Sequence, residues 1–257
     1  MIIPIVKANG NQNSFILIEK TFSDLNLNIE EIINLYKIYN EIVDGFVIIE
    51  KINSQNFRID YFNNDGTWET LCINSLRCVG LLLFKKYNIK RFIAQCGDGN
   101  HLVEIINHNN IRVSMNSPEY RSKEIEIDGI RGFYIFVGAK HFVINYKDEW
   151  PSIKILENIA KKIRYNKIFE NGINVNFYKN DKDNIDVITY EKGIEKIMSS
   201  CASGSFACAY HHIFNNNLKN KDIYITNIVG ELFAYIDLVK GEFFMSGPAE
   251  IEYEKEL

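Results

Sequence analysis

Cys72-Ile73-Asn74-Ser75-Leu76-Arg77-Cys78 decides the fold, because it returns in altered form 129 positions later as Cys201-Ala202-Ser203-Gly204-Ser205-Phe206-Ala207. Each copy opens an apolar segment with helical spacing: Val79, Leu82, Leu83 and Phe84 follow the first, and Cys208, Tyr210 and Phe214 the second. The correspondence continues on both sides. Met115-Asn-Ser-Pro118 recurs 130 positions on as Met245-Ser-Gly-Pro248, and the strand-like run at Phe15 is loosely echoed 127 positions on at Phe142. One offset held over most of a half-chain indicates an internal duplication.

Both halves read as α/β. In the first, Met1 to Val6 and Phe15 to Glu19 are expected strands, with Lys7 to Asn13 a turn between them. A helix capped by Asn28 runs to Ile38, and strands follow over Gly45 to Ile52 and Asn56 to Phe62. In the second half, strands at Phe133–Val137 and Phe142–Tyr146 precede a helix over Ile153–Ile163, then strands at Ile173–Tyr178 and Asp186–Tyr190. The expected domains are 1–117 and 118–248, with the alternating segment 249–257 returning to the first as a closing strand. Two such domains would share a cleft, with one cysteine entering from each.

Composition narrows the function classes. The chain has 257 residues, 46% hydrophobic and 24% charged, enough for two cores of about 120 residues. A net charge of −4, a pI near 5.8 and no Lys/Arg run disfavour nucleic acid and anionic lipid as partners. The start Met-Ile-Ile-Pro-Ile-Val-Lys lacks signal-peptide character and no apolar run reaches bilayer length, so a cytoplasmic protein without a membrane partner is expected. Five cysteines in a chain of this size are expected to be free thiols, and none has zinc-ligand spacing, so no metal is expected.

A cysteine just before a helix sits at the positive end of the helix dipole, where unpaired N–H groups favour the thiolate and can also bind a carboxylate. Two such stations could hold one substrate carboxylate while one sulfur removes a Cα proton and the other returns one to the opposite face. A single buried cysteine is more often a small hydrophobe. Cys78, Cys96 and Cys208 are read that way; duplication sets Cys72 and Cys201 apart. His141, after Gly138-Ala139-Lys140, is a possible supporting residue, although a hydrogen-bonded core histidine is the commoner case. Glu191 ends a strand and could meet an ammonium group, against the plainer alternative of a solvated pair with Lys192. His211-His212 is expected to be partly exposed and is given no role.

At these residues the chain resembles the diaminopimelate epimerase family. Lys7 to Phe15, Asp44-Gly45, Asn63-Asn-Asp65-Gly66, Cys72 to Cys78, Val137-Gly138-Ala-Lys-His141 and Gly172-Ile-Asn174-Val175-Asn-Phe177 all match that family's motifs in order. So do Tyr190-Glu191-Lys192-Gly193, Cys201-Ala-Ser203-Gly204 and Met245-Ser-Gly247-Pro248-Ala249. The resemblance implies two pseudo-symmetric domains, each a mostly antiparallel sheet or barrel wrapped around a central helix, with the active site in the cleft. It implies interconversion of LL- and meso-diaminopimelate in lysine and peptidoglycan-precursor synthesis, without pyridoxal phosphate or metal, in a homodimer. Cys72 and Cys201 would be the acid/base pair. Asn13, Asn63, Asn174, Glu191 and Lys192 would bind substrate, with Ile73, Asn74, Ser75, Ala202 and Ser203 around the carboxylate. Ile73, Ser75 and Ala202 stand where the family has glycine, Ala139 where it has asparagine and Lys192 where it has arginine. These departures keep open a related racemase of a histidine- or proline-type substrate. A non-catalytic binding protein on the same fold is the alternative from another class.

Overall fold

A computed structural model describes residues 4–20, 43–181 and 183–256. The helix expected from Asn28 to Ile38 lies outside the described residues, as does the strand start at residues 1–3. The chain divides into two compact units, one running to Ser114 and resuming at Ser246, the other spanning Met115–Met245.

The first unit contains β1 (Pro4–Gly10), β2 (Asn13–Lys20), β3 (Gly45–Lys51), β4 (Asn56–Asn63), the short β5 (Trp68–Glu69), α1 (Ile73–Tyr87), β6 (Arg91–Cys96), β7 (Gly99–Asn107) and β8 (Asn110–Ser114). β1 and β2 form a hairpin, β3 joins β2 in parallel, β4 joins β3 antiparallel, and after α1 the chain returns as β6 parallel to β4. β7 and β8 continue antiparallel, and the strand Glu250–Glu256 pairs antiparallel with β1. Lys7–Gly10 belongs to a strand and not to the expected turn. Asn11 and Gln12 alone turn the chain, with φ of 56° and 70°. Positive φ at both central residues is what a two-residue hairpin needs, so the Gly/Asn content upstream was a poor guide to its extent.

The second unit contains β9 (Glu119–Tyr120), β10 (Ile125–Ile127), β11 (Ile130–Phe136), β12 (Lys140–Asn145), α2 (Ile153–Arg164), β13 (Asn174–Asp181), β14 (Asn184–Glu191), β15 (Lys196–Met198), α3 (Ala202–Asn215), β16 (Asn220–Thr226), β17 (Glu231–Asp237) and all but the last two residues of β18 (Glu242–Gly247). Its wiring repeats the first: hairpin β11/β12, parallel β12/β13, antiparallel β13/β14, short β15 on β14, helix α3, then β16 parallel to β14 and antiparallel to β17.

Each unit closes around one helix. In α1 every residue from Ile73 to Leu83 is buried, and in α3 every residue from Gly204 to Ile213. A helix buried all round must be covered on every side, which is why these two lack a polar face. Gly80 lets α1 approach the sheet, since a Cβ there would lie 2.9 Å from Val103. α2 differs: Leu156, Ala160 and Ile163 form one buried stripe against Phe142, Phe169, Val175, Phe177 and Tyr190, while Lys154, Lys161 and Lys162 stay exposed. Burying Leu156 and Ile163 contributes about 2 kcal/mol each. His211 and His212 correct the expected exposure, being only 3% accessible, because α3 is enclosed on the face that carries them. Burial holds His211 down at about 4, with His212 and Lys147 nearby lowering it further.

Candidate active site

Cys72 and Cys201 are the N-caps of α1 and α3, with nearly identical backbone angles: φ −137°, ψ 107° and φ −139°, ψ 109°. Neither side chain caps its helix, and neither first turn carries an acidic residue. The Cys72 carbonyl accepts from Leu76 N–H at 3.1 Å and from Ser75 Oγ–H at 2.9 Å, and the Cys201 carbonyl accepts from Ser205 N–H at 2.9 Å. The N–H groups of residues 73–75 and 202–204 have no acceptor within their own helix. Each sulfur therefore shares a helix start with donors suited to an anion. All five cysteines are free thiols; Cys72, Cys96 and Cys201 are partly accessible, Cys78 and Cys208 buried. Burial pushes the Cys96 thiol up to about 12 and raises those of Cys78 and Cys208 as well, so these three stay protonated.

In the first unit the cysteine stretch is tied to the β1/β2 hairpin. Asn74 Nδ2 donates to Asn13 Oδ1, Arg77 Nη2 donates to Asn74 Oδ1 at 2.6 Å, and Arg77 Nε donates to the Pro248 carbonyl at 3.2 Å. Gly10 lets the hairpin reach this turn of α1, because a Cβ there would sit 2.5 Å from the Asn74 carbonyl oxygen. Arg77 is fully buried, and burial draws it down to about 10 against the opposing influence of the Cys78 and Cys72 sulfurs. Asn74 and Ser75 are buried beside it, as is Ile73. Asn63 belongs to a different local structure: its Nδ2 donates to Thr67 Oγ1 at 2.9 Å and its N–H to the Thr67 carbonyl at 2.8 Å, closing the turn through Asp65 and Gly66.

In the second unit α3 starts against a buried polar cluster. Gly204 faces Asn176, whose Oδ1 accepts from Thr189 Oγ1–H at 3.0 Å and whose Nδ2 reaches His141 Nδ1 at 3.1 Å and the Phe142 carbonyl at 3.3 Å. His141 is fully buried, and burial holds it down at about 4, so it is neutral at pH 7. Asn174 spends both ends of its amide on backbone: Nδ2 donates to the Lys140 carbonyl at 3.1 Å and Oδ1 accepts from Lys192 N–H at 2.8 Å. That bond docks the turn after Glu191 onto β13. Within the turn Gly193 has φ 92° and Glu195 φ 60°, and Glu195 accepts from Arg164 Nη2 at 2.8 Å. Lys192 is exposed, Glu191 and Ser203 partly so, and Ala202 buried. Ser203 Oγ lies 3.6 Å from Cys201 Sγ.

The structure thus gathers Asn13, Cys72, Ile73, Asn74 and Ser75 at one helix start, and Cys201, Ala202 and Ser203 at the other. Asn174 and Lys192 are joined to each other, and His141 belongs to the Asn176 cluster. Sequence reading overlooked Arg77, Asn176, Thr189 and Gly204 as parts of these assemblies. Arg77 carried one usable signal, a charge in a helical segment otherwise read as apolar. Among the described residues no three His, Cys, Asp or Glu side chains form a metal-ligating group, and no helix is long and apolar enough to cross a membrane.

No protein-family model matches the chain. Individual relatives do. It is 31% identical over 227 residues to the diaminopimelate epimerase of Archaeoglobus fulgidus, covering 81% of each chain. It is 28% identical over 269 residues to that of Hydrogenobaculum sp., covering 97% of this chain and 96% of the relative. Solved structures share the two-domain fold at low identity. A probable proline racemase from Agrobacterium radiobacter matches with a TM-score of 0.73 at 11% identity, over 99% of this chain and 92% of its own. A phenazine biosynthesis protein of the PhzF family from Enterococcus faecalis matches with a TM-score of 0.71 at 13% identity, over 100% and 99%. Identity at this level over this length, joined to two cysteine-capped helices in a duplicated α/β fold, makes the chain an isomerase of the epimerase and racemase class and a member of the diaminopimelate epimerase family.

Proposed function

We propose that the chain is a diaminopimelate epimerase in which Cys72 and Cys201 are the two acid/base groups. The observation that carries this reading is the equivalence of the two helix starts, each with a cysteine N-cap in the same backbone conformation and no competing acidic side chain. One sulfur, as thiolate, takes the proton from the substrate Cα; the other, as thiol, delivers a proton to the opposite face. The roles exchange for the reverse reaction. Charge left on the α-carboxylate side of the carbanion is met by first-turn N–H donors, which need no reorganisation when it develops. Asn13, Asn63, Asn174, Glu191 and Lys192 orient the amino and distal carboxylate groups in this reading.

The test is solvent isotope exchange. Incubated in D₂O with LL-diaminopimelate, the protein places deuterium at Cα of the product, and Cys72→Ala and Cys201→Ala each abolish net epimerisation. A panel with proline and histidine beside diaminopimelate decides the substrate. Exchange into one of those two and not into diaminopimelate would overturn the assignment, and unaltered turnover by either cysteine variant would overturn the mechanism.

A further inference from the structure

An amide has two ends of similar shape but opposite hydrogen-bonding sense: the oxygen accepts and the NH₂ donates. Arginine only donates. Arg77 Nη2 lies 2.6 Å from the Asn74 side chain, so the Asn74 end facing it must be Oδ1. Asn74 Nδ2 then faces Asn13, which must accept with Oδ1 and turns its own NH₂ away. The polarity of both amides follows from one donor-only side chain.

The fold does not require that side chain. At the corresponding position of α3, 129 residues on, stands Phe206, fully buried and packed on Phe243 with ring centroids 6.3 Å apart. Ser203 takes the place of Asn74 there. Burying a guanidinium costs several kcal/mol unless paired. Yet Arg77 is fully buried, and its Nη1 has no hydrogen-bond partner among the described residues. A sister helix that packs with phenylalanine shows that an apolar residue suffices for the architecture.

We propose that Arg77 is a positioning residue that locks the Asn74–Asn13 pair so that Asn13 presents its NH₂ donors to a carboxylate oxygen of the ligand. The inference rests on the proposed function only for the identity of that carboxylate. The first helix start is therefore the more cationic and donor-rich of the two.

Asn74→Asp tests this. An aspartate keeps the bond from Arg77 and suits the first turn of a helix, so the variant is expected to fold. It cannot donate to Asn13, which must then rotate its NH₂ inward and present Oδ1. In ¹⁵N-labelled protein the Asn13 NH₂ protons should exchange with water at least fivefold more slowly in the variant. Glutarate, a plain dicarboxylate, should shift the Asn13 NH₂ resonances in the parent and not in the variant. KM for diaminopimelate should rise at least tenfold, the loss of a hydrogen bond to a charged group. Unchanged Asn13 exchange overturns the lock; slowed exchange with KM within twofold of the parent overturns its role in carboxylate binding. Should the parent not turn over diaminopimelate, the proposed function falls, while the exchange and glutarate measurements still decide this inference. Arg77→Gln, which adds no negative charge and leaves Asn74 free to turn, is the second variant: faster-interconverting Asn13 signals and a weaker glutarate response support the lock, and parent-like values overturn it.

Discussion

Gly204→Ala is expected to destabilise the second unit even though alanine is the better helix former. An ideal Cβ at position 204 would lie 2.2 Å from Asn176 Oδ1, 2.9 Å from Thr189 Oγ1 and 3.2 Å from Asn176 Cγ. Relief needs a movement of about 1 Å, since ordinary carbon–oxygen contacts are no closer than van der Waals separation. Asn176 cannot supply it cheaply, being fully buried and held by Thr189, His141 and the Phe142 carbonyl. Overpacking of this kind costs about 1–3 kcal/mol, and each buried hydrogen bond stretched or lost adds about 1 kcal/mol. Helix propensity returns about 1 kcal/mol. The net is a loss of about 2–3 kcal/mol, or about 4–12 °C in melting temperature for a chain of this length. Thermal melts give the sign, and amide exchange along α3 shows whether the damage is at its start. Asn176→Ala supplies the cycle: the double variant should be more stable than the sum of the two single losses by at least about 1 kcal/mol, because the clash disappears with its target. A Gly204→Ala protein that melts at or above the parent refutes the reasoning.

Two further predictions concern other buried groups. His101 is fully buried with Nδ1 2.7 Å from the Ser114 carbonyl and Nε2 3.0 Å from Asp98; burial alone would lower its pKa, but these two acceptors outweigh it and hold the pKa above the usual value. Its stabilisation is thus fully present below about pH 6.5 and lost as pH rises through the raised folded value, where one ring nitrogen must give up its proton. The stability difference between parent and His101→Gln in urea should therefore shrink between pH 6 and 9, and a constant difference would count against a charged His101. Gly172→Ala should cost at least as much as Gly204→Ala, because φ is +71° and the new Cβ would overlap Arg164 Nη1, displacing the guanidinium from Glu195. A melting point within 1 °C of the parent would refute that.

What could be read from sequence was what repeats or stays local. Two cysteines before two apolar helical segments, with matching offsets downstream, were enough to place α1 and α3 and to put Cys72 and Cys201 at their starts. Interactions between distant positions left no such trace. Nothing in the chain announces that Asn176 meets His141, Thr189 and Gly204, or that Asn174 uses its amide to dock the turn at Lys192. Arg77 was visible as a residue but not as the origin of a hydrogen-bond direction, since that requires knowing which side chains lie beside it. Polarity is no guide to exposure at His211-His212, because their unit encloses the helix that carries them. The turn at Asn11-Gln12 was overextended because composition marks a turn's neighbourhood, while two positive φ values mark its place.

The strand Glu250–Glu256 lies on β1, and the whole second unit is made between them. During synthesis at about 5–20 residues per second, β1 waits on the order of 10–50 s for its outer neighbour. For that interval its outer edge offers unpaired N–H and C=O groups to any passing strand. Met115 N–H donates to the Phe243 carbonyl at 2.8 Å, so the entry and exit of the folded second unit are pinned together. Halving a loop in this way is worth only about 0.6 kcal/mol. The consequence is one of order in synthesis: the strand that covers the outer edge of β1 emerges only after the whole inserted half has been made.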